Sequence, residues 1–308
     1  MSHLSHVVES QQFSLDFLEK LFSLADQMRA DKSQYNVNGK VLASLFYEPS
    51  TRTRLSFESA MLQLGGTVIS TENAKEFSSH SKGESLEDSI RVISGYADII
   101  AIRHFEIGTA KRAASASKVP VINAGDGAGQ HPTQALLDLY TIKRSFDQLD
   151  GLTICMVGDL RYGRTVRSLS YLLARFFKVK FIFVAPPICK MNQDILDYFN
   201  EMNIEWEDED DFTTAVSKAD CIYMTRIQKE RFLDMQRYDN AYNQYRVDNT
   251  TIPHLKEKAI VLHPLPRLEE INTEVDDDPR MKYFEQAQNG VWVRMALIYL
   301  LLNPEFQA

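Results

Sequence analysis

A short segment near residue 50 concentrates the groups that proteins use to bind phosphate. Ser50-Thr51-Arg52-Thr53 follows an apolar run and Pro49, and apolar residues then recur from Phe57 to Leu64 at three- and four-residue steps. This spacing predicts a helix that begins just after Pro49, with three hydroxyls and a guanidinium at its start. Backbone N–H groups and the positive end of the helix dipole would join them, which favours an anion such as phosphate. A capped helix with a solvated arginine is the alternative, because Ser and Thr are common N-caps.

Two later strand-like runs end in side chains of a similar kind. The first leads into Arg103, and the second leads through a glycine-rich loop into His131 and Gln134. Pro132 suits the first position of a helix, so His131 is predicted to be the cap of that helix. Ligands of parallel α/β sheets bind beyond the carboxyl ends of the strands, so we expect these side chains to surround one ligand together with Arg52. Taken singly, Arg103 could be a surface charge and His131 a simple helix cap.

The second half of the chain places further chemistry after its own strand-like runs. The segment 158–165 nearly matches the Walker A loop, with Arg164 where the lysine belongs. A P-loop nucleotide-binding enzyme is therefore an alternative, although the lysine is missing and no apolar strand ends in an aspartate that would hold magnesium. Arg226 follows a later run, and His263-Pro264-Leu265-Pro266 follows the last one. The two prolines lack N–H groups, so this loop presents mainly carbonyl oxygens, which can accept hydrogen bonds from an NH₂ group.

An α/β framework is needed to bring these segments together. Short β-rich runs alternate with helical patterns along the whole chain, which is typical of parallel βα units. We predict an α/β fold of two domains, each with a central, mostly parallel sheet flanked by helices. A polar break at 146–151 suggests 1–147 as the first domain and 148–285 as the second, with 286–308 as a C-terminal helix that returns to the first. The predicted strands are 41–47, 68–71, 97–103, 119–124, 152–157, 179–185, 219–225 and 259–263.

Other features of the sequence are interpreted as structural. Six carboxylates lie within 205–211, and we predict a solvated turn before a helix there. Cys155, Cys189 and Cys221 are predicted to be packing residues, because an odd count without a Cys-x-x-Cys pair argues against a disulfide framework or a zinc site. The pattern over 283–302 predicts a helix with one apolar face.

Composition limits the classes of function. The 308 residues include 34 Lys and Arg against 42 Asp and Glu, which gives a formal charge of −8. We therefore predict neither a nucleic-acid nor a membrane partner, and any bound anion must meet a local basic pocket. No apolar run approaches the roughly 18 residues of a membrane span, and residues 1–14 do not resemble a signal peptide. The predicted location is the cytoplasm.

Five motifs together resemble the transcarbamylase family and span nearly the whole chain in the family's order. They are 50–54, 131–134, 158–165, 223–231 and 263–266. The motifs at 50–54, 131–134 and 263–266 are similar to the family's carbamoyl-phosphate signature, and the other two are similar to the branch whose acceptor is aspartate. The resemblance implies the transcarbamylase fold and transfer of a carbamoyl group from carbamoyl phosphate to the amine of L-aspartate, a step toward pyrimidines. It implies no cofactor and no metal, and a homotrimer with shared active sites. A dimer of such trimers with a separate regulatory chain is the alternative assembly.

The resemblance also implies a role for each matched residue. The groups that would bind carbamoyl phosphate are Ser50, Thr51, Arg52, Thr53, Arg103, His131, Gln134 and the carbonyls of Leu265 and Pro266. The groups that would bind aspartate are Lys82, Arg164, Arg226 and Gln228. The residues that would act in catalysis are Arg52, Thr53, Lys82, Arg103 and His131. Ser78 and Lys82 would come from the adjacent subunit, and the Leu265–Pro266 peptide would be cis.

The implied roles agree with elementary chemistry. Attack by a neutral amine on the carbonyl carbon builds negative charge on the carbonyl oxygen and then on the departing phosphate. Donors fixed in advance at both places lower the barrier, so neither a metal nor a covalent nucleophile is required. Glu48 is the one acidic residue beside the basic motif at 50–54, and we hypothesise that it pairs with Arg164 or Arg231.

Two alternatives remain open alongside the P-loop hypothesis. An ornithine carbamoyltransferase would share the first-domain motifs, but its cationic acceptor would be repelled by Arg164 and Arg226. Pro264 also stands where the resemblance would place a cysteine in the ornithine branch. A non-enzymatic sensor of phosphate or amino acids is the third possibility, and the presence of His131, Arg103 and Lys82 argues against it.

Overall fold

The structure is a computed structural model that describes residues 4–72, 83–227 and 245–307. Strands and helices alternate along the chain. The chain divides into two units. The first unit comprises Met1–Leu137 with Gln288–Ala308, and the second comprises Asp138–Ala287. Each contains a parallel sheet, as the alternating pattern predicts. No helix within the described ranges is both long enough and apolar enough to cross a bilayer.

The sheet of the first unit has the order β2-β1-β3-β4, with all neighbours parallel. Its two central strands, β1 and β3, are buried and mostly apolar, as expected for parallel strands covered by helices. The strands are β1 Val41–Phe46, β2 Thr67–Glu72, β3 Ile99–His104 and β4 Val121–Asp126. The helices that begin in this unit are α1 Leu15–Ala30, α2 Thr51–Gln63, α3 Leu86–Ile93, α4 Thr109–Ala116 and α5 Pro132–Ser145.

The helices α3 and α4 cover part of this sheet and form its core. Leu86 and Ile90 of α3 pack with Ala113 of α4 against Ile100 and Ile102 of β3. Ser85 caps α3 by accepting a hydrogen bond from the N–H of Asp88. This packing fixes the strands from which the candidate phosphate-binding residues extend.

The sheet of the second unit is also parallel, with the order β7-β6-β5-β8-β9. Its strands are β5 Thr153–Val157, β6 Lys180–Val184, β7 Glu205–Asp208, β8 Cys221–Met224 and β9 Ile260–Leu262. The remaining helices are α6 Arg164–Phe176, α7 Gln193–Glu201, α8 Phe212–Lys218 and α9 Tyr283–Leu302. A buried cluster built around Val157, Ile222 and Val261 forms the core on one side of this sheet.

The acidic stretch differs from the prediction. We expected a solvated turn over 205–211, but its first four residues form the edge strand β7. An edge strand tolerates these carboxylates because lysines face them: Glu207 lies 3.3 Å from Lys180 Nζ and 3.7 Å from Lys218 Nζ. Only the end of the stretch behaves as predicted, since Asp211 caps α8 by accepting from the N–H groups of Thr213 and Thr214.

The three cysteines are packing residues, as predicted. Cys155, Cys189 and Cys221 are buried, and none forms a disulfide. Burial raises the pKa of the Cys189 thiol to about 12 and the pKa of the other two above their ordinary range. All three therefore stay protonated and unreactive at neutral pH.

Candidate active site

The phosphate-binding candidates occupy the beginning of α2. Ser50 is the N-cap residue, and its carbonyl accepts the N–H of Arg54 at 3.1 Å, but its hydroxyl makes no capping hydrogen bond. The alternative of an ordinary capped helix is therefore weakened, because the hydroxyl is not used for that purpose. Thr51 and Arg52 are exposed, whereas Thr53 is buried.

The two arginines of this motif have different environments. Arg54 lies 3.0 Å from the Glu72 carboxylate and 3.7 Å from that of Glu58, so its charge is already balanced within the unit. Partial desolvation lowers the pKa of Arg52, which nevertheless stays charged at neutral pH. A cation at the N-terminus of a helix is disfavoured by the helix dipole. An anion bound there would relieve that repulsion.

Arg103 lies at the end of β3, where the pairing with β4 becomes irregular after Ile102. Its guanidinium is buried, with Nη2 3.2 Å from Glu48 Oε2 and Nη1 3.4 Å from the carbonyl oxygen of Ala124. The structure shows Glu48 beside Arg103, a contact that the sequence did not suggest. The hypothesised pairing of Glu48 with Arg164 or Arg231 stays a prediction, and Arg231 lies outside the described residues. Sequence reasoning missed this contact because Glu48 and Arg103 are joined only by the pairing of β1 with β3.

His131 is the residue before α5, as predicted. Its carbonyl accepts the N–H groups of Gln134 and Ala135, and its ring is buried, with Nδ1 3.4 Å from the Thr133 hydroxyl. The preceding loop is held by Asp126, whose carboxylate accepts the N–H of Gln130 at 2.9 Å and that of Gly108 at 2.9 Å. Asp126 therefore fixes where α5 begins, a role that the sequence pattern did not reveal.

These groups share one edge of the first sheet. The strands β1, β3 and β4 are neighbours, and Phe46 pairs with Arg103 while His104 pairs with Asp126. The ends of these strands and the segments that follow them carry the candidate residues: Ser50, Thr51, Arg52, Thr53, Arg103, His131 and Gln134. The structure therefore places them at the carboxyl ends of parallel strands, and their convergence on one ligand stays a prediction.

The second unit brings Arg164 and Arg226 to the corresponding edge of its own sheet. Val157, the last residue of β5, pairs with Met224, the last residue of β8. Arg164 is the first residue of α6, which follows β5, and Arg226 lies two residues after β8. Both side chains are half-buried.

Thr225 joins these two strand ends, and sequence reasoning missed it. Its hydroxyl donates to the carbonyl of Val157 at 2.8 Å and accepts the N–H of Asp159 at 2.9 Å. Gly158 has a φ of +104°, and a Cβ there would lie 2.2 Å from the carbonyl oxygen of Thr225. The glycine therefore permits a close approach of β8, and Thr225 sets the spacing between the segments that carry Arg164 and Arg226.

The loop between β5 and α6 does not have the hydrogen bonding of a P-loop. In a P-loop the backbone N–H groups surround phosphate oxygens. Here the corresponding N–H groups are bonded within the protein: Gly158 to Val184 O, Asp159 to Thr225 Oγ1, Leu160 to Cys189 O and Tyr162 to Asp159 Oδ1. This geometry argues against the nucleotide-binding alternative.

The loop that follows β9 contains a cis peptide bond between Leu265 and Pro266, as the resemblance implies. Leu265 has a φ of +53°, which is uncommon for a residue with a side chain. Three residues with predicted roles, Ser78, Lys82 and Gln228, lie outside the described residues.

Two family models match consecutive parts of the chain. The model for the aspartate/ornithine carbamoyltransferase carbamoyl-P binding domain matches residues 5–144, and the model for the Asp/Orn binding domain matches residues 150–301. The chain is 54% identical over 304 residues to the chloroplastic aspartate carbamoyltransferase of Arabidopsis thaliana, covering 97% of this chain and 78% of that protein. It is 49% identical over 302 residues to the aspartate carbamoyltransferase catalytic subunit of Clostridium novyi, covering 97% and 98%.

Solved structures give the same relationship. The catalytic subunit of M. jannaschii aspartate transcarbamoylase superposes with a TM-score of 0.89 at 45% identity, covering 97% of this chain and 98% of that one. The Trypanosoma cruzi aspartate transcarbamoylase in complex with carbamoyl phosphate and aspartate gives a TM-score of 0.90 at 38% identity, covering 96% of each chain. The transcarbamylase fold predicted from the motifs is confirmed.

The role of Thr225 can be tested by removing its hydroxyl. We expect Thr225→Val to lower the free energy of unfolding by about 1–3 kcal/mol, because the buried N–H of Asp159 loses its acceptor. Thr225→Ser keeps the hydroxyl and should cost about 1 kcal/mol or less, the value of one methyl group. Urea unfolding followed by circular dichroism measures both, and equal losses would show that the hydroxyl does not matter.

Proposed function

The chain belongs to the aspartate/ornithine carbamoyltransferase family, and from this premise we propose how its residues carry out the family's chemistry. The enzyme transfers the carbamoyl group of carbamoyl phosphate to the amine of L-aspartate and releases N-carbamoyl-L-aspartate and phosphate. We place this reaction in pyrimidine biosynthesis.

The choice of aspartate as the acceptor rests on one observation, the position of two guanidiniums at one edge of the second sheet. Arg164 and Arg226 follow strands that are hydrogen-bonded neighbours, and Thr225 holds those strand ends together. Paired guanidiniums suit the two carboxylates of aspartate, whereas the ammonium side chain of ornithine would be repelled. Gln228 would add an amide to this set.

The first unit supplies most of the groups for carbamoyl phosphate. Ser50, Thr51, Arg52 and Thr53 would bind the phosphate through hydroxyls, the guanidinium and the free N–H groups at the start of α2. Gln134 and the carbonyls of Leu265 and Pro266 would orient the carbamoyl amide. Lys82 would reach the site from a neighbouring subunit and contact both substrates.

Catalysis would come from donors aimed at the oxygen on which charge develops. Thr53, Arg103 and His131 would polarise the carbonyl, and the phosphate-binding groups would stabilise the leaving dianion. Arg103 and His131 are buried, so little reorganisation is needed when the charge appears. The Glu48 carboxylate, 3.2 Å from Arg103, would hold that guanidinium in place.

We also propose a homotrimer with shared active sites, which the resemblance supports. A dimer of trimers with a regulatory chain is the alternative assembly. A mass measurement by light scattering decides the subunit number. The free, buried cysteines support a reducing compartment, and the cytoplasm is our proposed location.

The acceptor is tested directly with radiolabelled carbamoyl phosphate. We expect label in N-carbamoyl-aspartate when aspartate is supplied, and no transfer with ornithine or without an acceptor. Transfer to ornithine would contradict the role of the arginine pair, and binding without transfer to either acceptor would favour a sensor.

Replacing His131 tests the proposed donor to the carbonyl oxygen. His131→Ala should keep the fold but lower kcat by about two to three decades, since one oxyanion donor in comparable sites is worth about 2.7–4 kcal/mol. The exposed His254 provides the matched control, and His254→Ala should leave kcat unchanged. A His131→Ala variant with wild-type turnover would remove His131 from the mechanism.

A further inference from the structure

Three hydrogen bonds converge on His263, the first residue of the loop that contains Leu265 and Pro266. We propose that His263 is a positioning residue: its imidazole and backbone N–H fix the loop carbonyls that orient the carbamoyl amide. This inference rests on the proposed function, because it assigns a cause to the placement of one of its binding groups. None of the roles implied by the resemblance involves the His263 side chain.

The first hydrogen bond acts on the loop itself. The N–H of Leu265 donates to His263 Nδ1 at 2.8 Å. Leu265 has a φ of +53°, a left-handed conformation that costs free energy for any residue with a Cβ. Such a conformation persists only when its surroundings hold it, and the imidazole is the group that binds the N–H of this residue.

The second hydrogen bond fixes the orientation of the imidazole. Because Nδ1 accepts the Leu265 N–H, the ring proton lies on Nε2, which donates to Glu270 Oε1 at 2.9 Å. The same carboxylate oxygen accepts the N–H of Leu268 at 3.1 Å. Burial alone would raise the pKa of Glu270, but the hydrogen bonds from His263 and from backbone N–H groups outweigh it and lower that pKa, so the carboxylate stays ionised.

The third hydrogen bond fixes the backbone of His263. Its N–H donates to Gln286 Oε1 at 2.9 Å, and Gln286 Nε2 donates to Asp138 Oδ1 at 2.6 Å. The second oxygen of Asp138 accepts from the Tyr223 hydroxyl at 2.7 Å. The carboxylate of Asp138 thus determines which way the Gln286 amide faces, and all of these groups are buried.

The network leaves the loop carbonyls little freedom. A binding group that is fixed in advance does not lose conformational entropy when the substrate arrives. Loss of this fixation should therefore weaken carbamoyl-phosphate binding more than it affects aspartate binding.

Two substitutions of His263 by an amide residue distinguish the positioning of the loop carbonyls from a general effect of removing the histidine. In His263→Asn the amide oxygen can accept the N–H two residues later, as in an Asx turn, and so can replace Nδ1. In His263→Gln the longer side chain places its amide near Glu270, so no side-chain acceptor is left beside the N–H of Leu265. The exposed His254 gives the controls His254→Asn and His254→Gln.

We expect His263→Gln to raise both the KM and the Kd for carbamoyl phosphate about tenfold, equivalent to about 1.4 kcal/mol, with a smaller change in the aspartate KM. His263→Asn should stay within about threefold of wild type, and both His254 variants should match wild type. Equal increases in His263→Asn and His263→Gln, or none in either, would overturn the proposal.

A second pair of variants, at Glu270, covers the case in which the His263 variants fail to fold. Glu270→Gln keeps an oxygen that accepts from Nε2 and from Leu268, whereas Glu270→Leu keeps none. Only Glu270→Leu should raise the Kd for carbamoyl phosphate, measured by calorimetry on the full chain, and equal Kd values in the two variants would also overturn the proposal. A wild-type chain that binds carbamoyl phosphate but transfers nothing would contradict the proposed function alone, because the Kd comparison still decides the role of His263.

Discussion

Parallel pairing between neighbouring strands is the constraint on which the candidate active site depends. It brings segments that are far apart in the sequence to one sheet edge, as when Phe46 pairs with Arg103 and Val157 pairs with Met224. A few buried hydrogen bonds then set the spacing at each edge. Asp126 does so in the first unit, and Thr225 does so in the second.

We expect cations at the starts of helices to give these edges a preference for anions. Arg52 lies in the first turn of α2, and Arg164 is the first residue of α6. Both guanidiniums oppose the dipole of their own helix, so an anionic ligand improves the electrostatics of each site. This explains how a chain with a net charge of −8 can use two anionic substrates: the cations needed are local.

Much of this arrangement could be predicted from the sequence, because it depends on local patterns. The helix over 283–302 has the predicted bounds, and α2 begins where Pro49 and the apolar spacing indicate. The strand β7 was missed because an edge strand can be largely acidic when lysines of neighbouring elements balance it. The contact between Glu48 and Arg103 was also missed, since ion pairing depends on strand order, which local patterns do not contain.

The central claim is that strand-end cations of the first sheet bind the phosphate of carbamoyl phosphate. The most direct measurement is the Kd of carbamoyl phosphate for the wild-type chain and for Arg52→Gln, with the melting temperature as a check on folding. A charge-assisted hydrogen bond is worth about 1.5–3 kcal/mol, so the account predicts a Kd roughly 10- to 100-fold higher in Arg52→Gln. An unchanged Kd in a folded variant would contradict it.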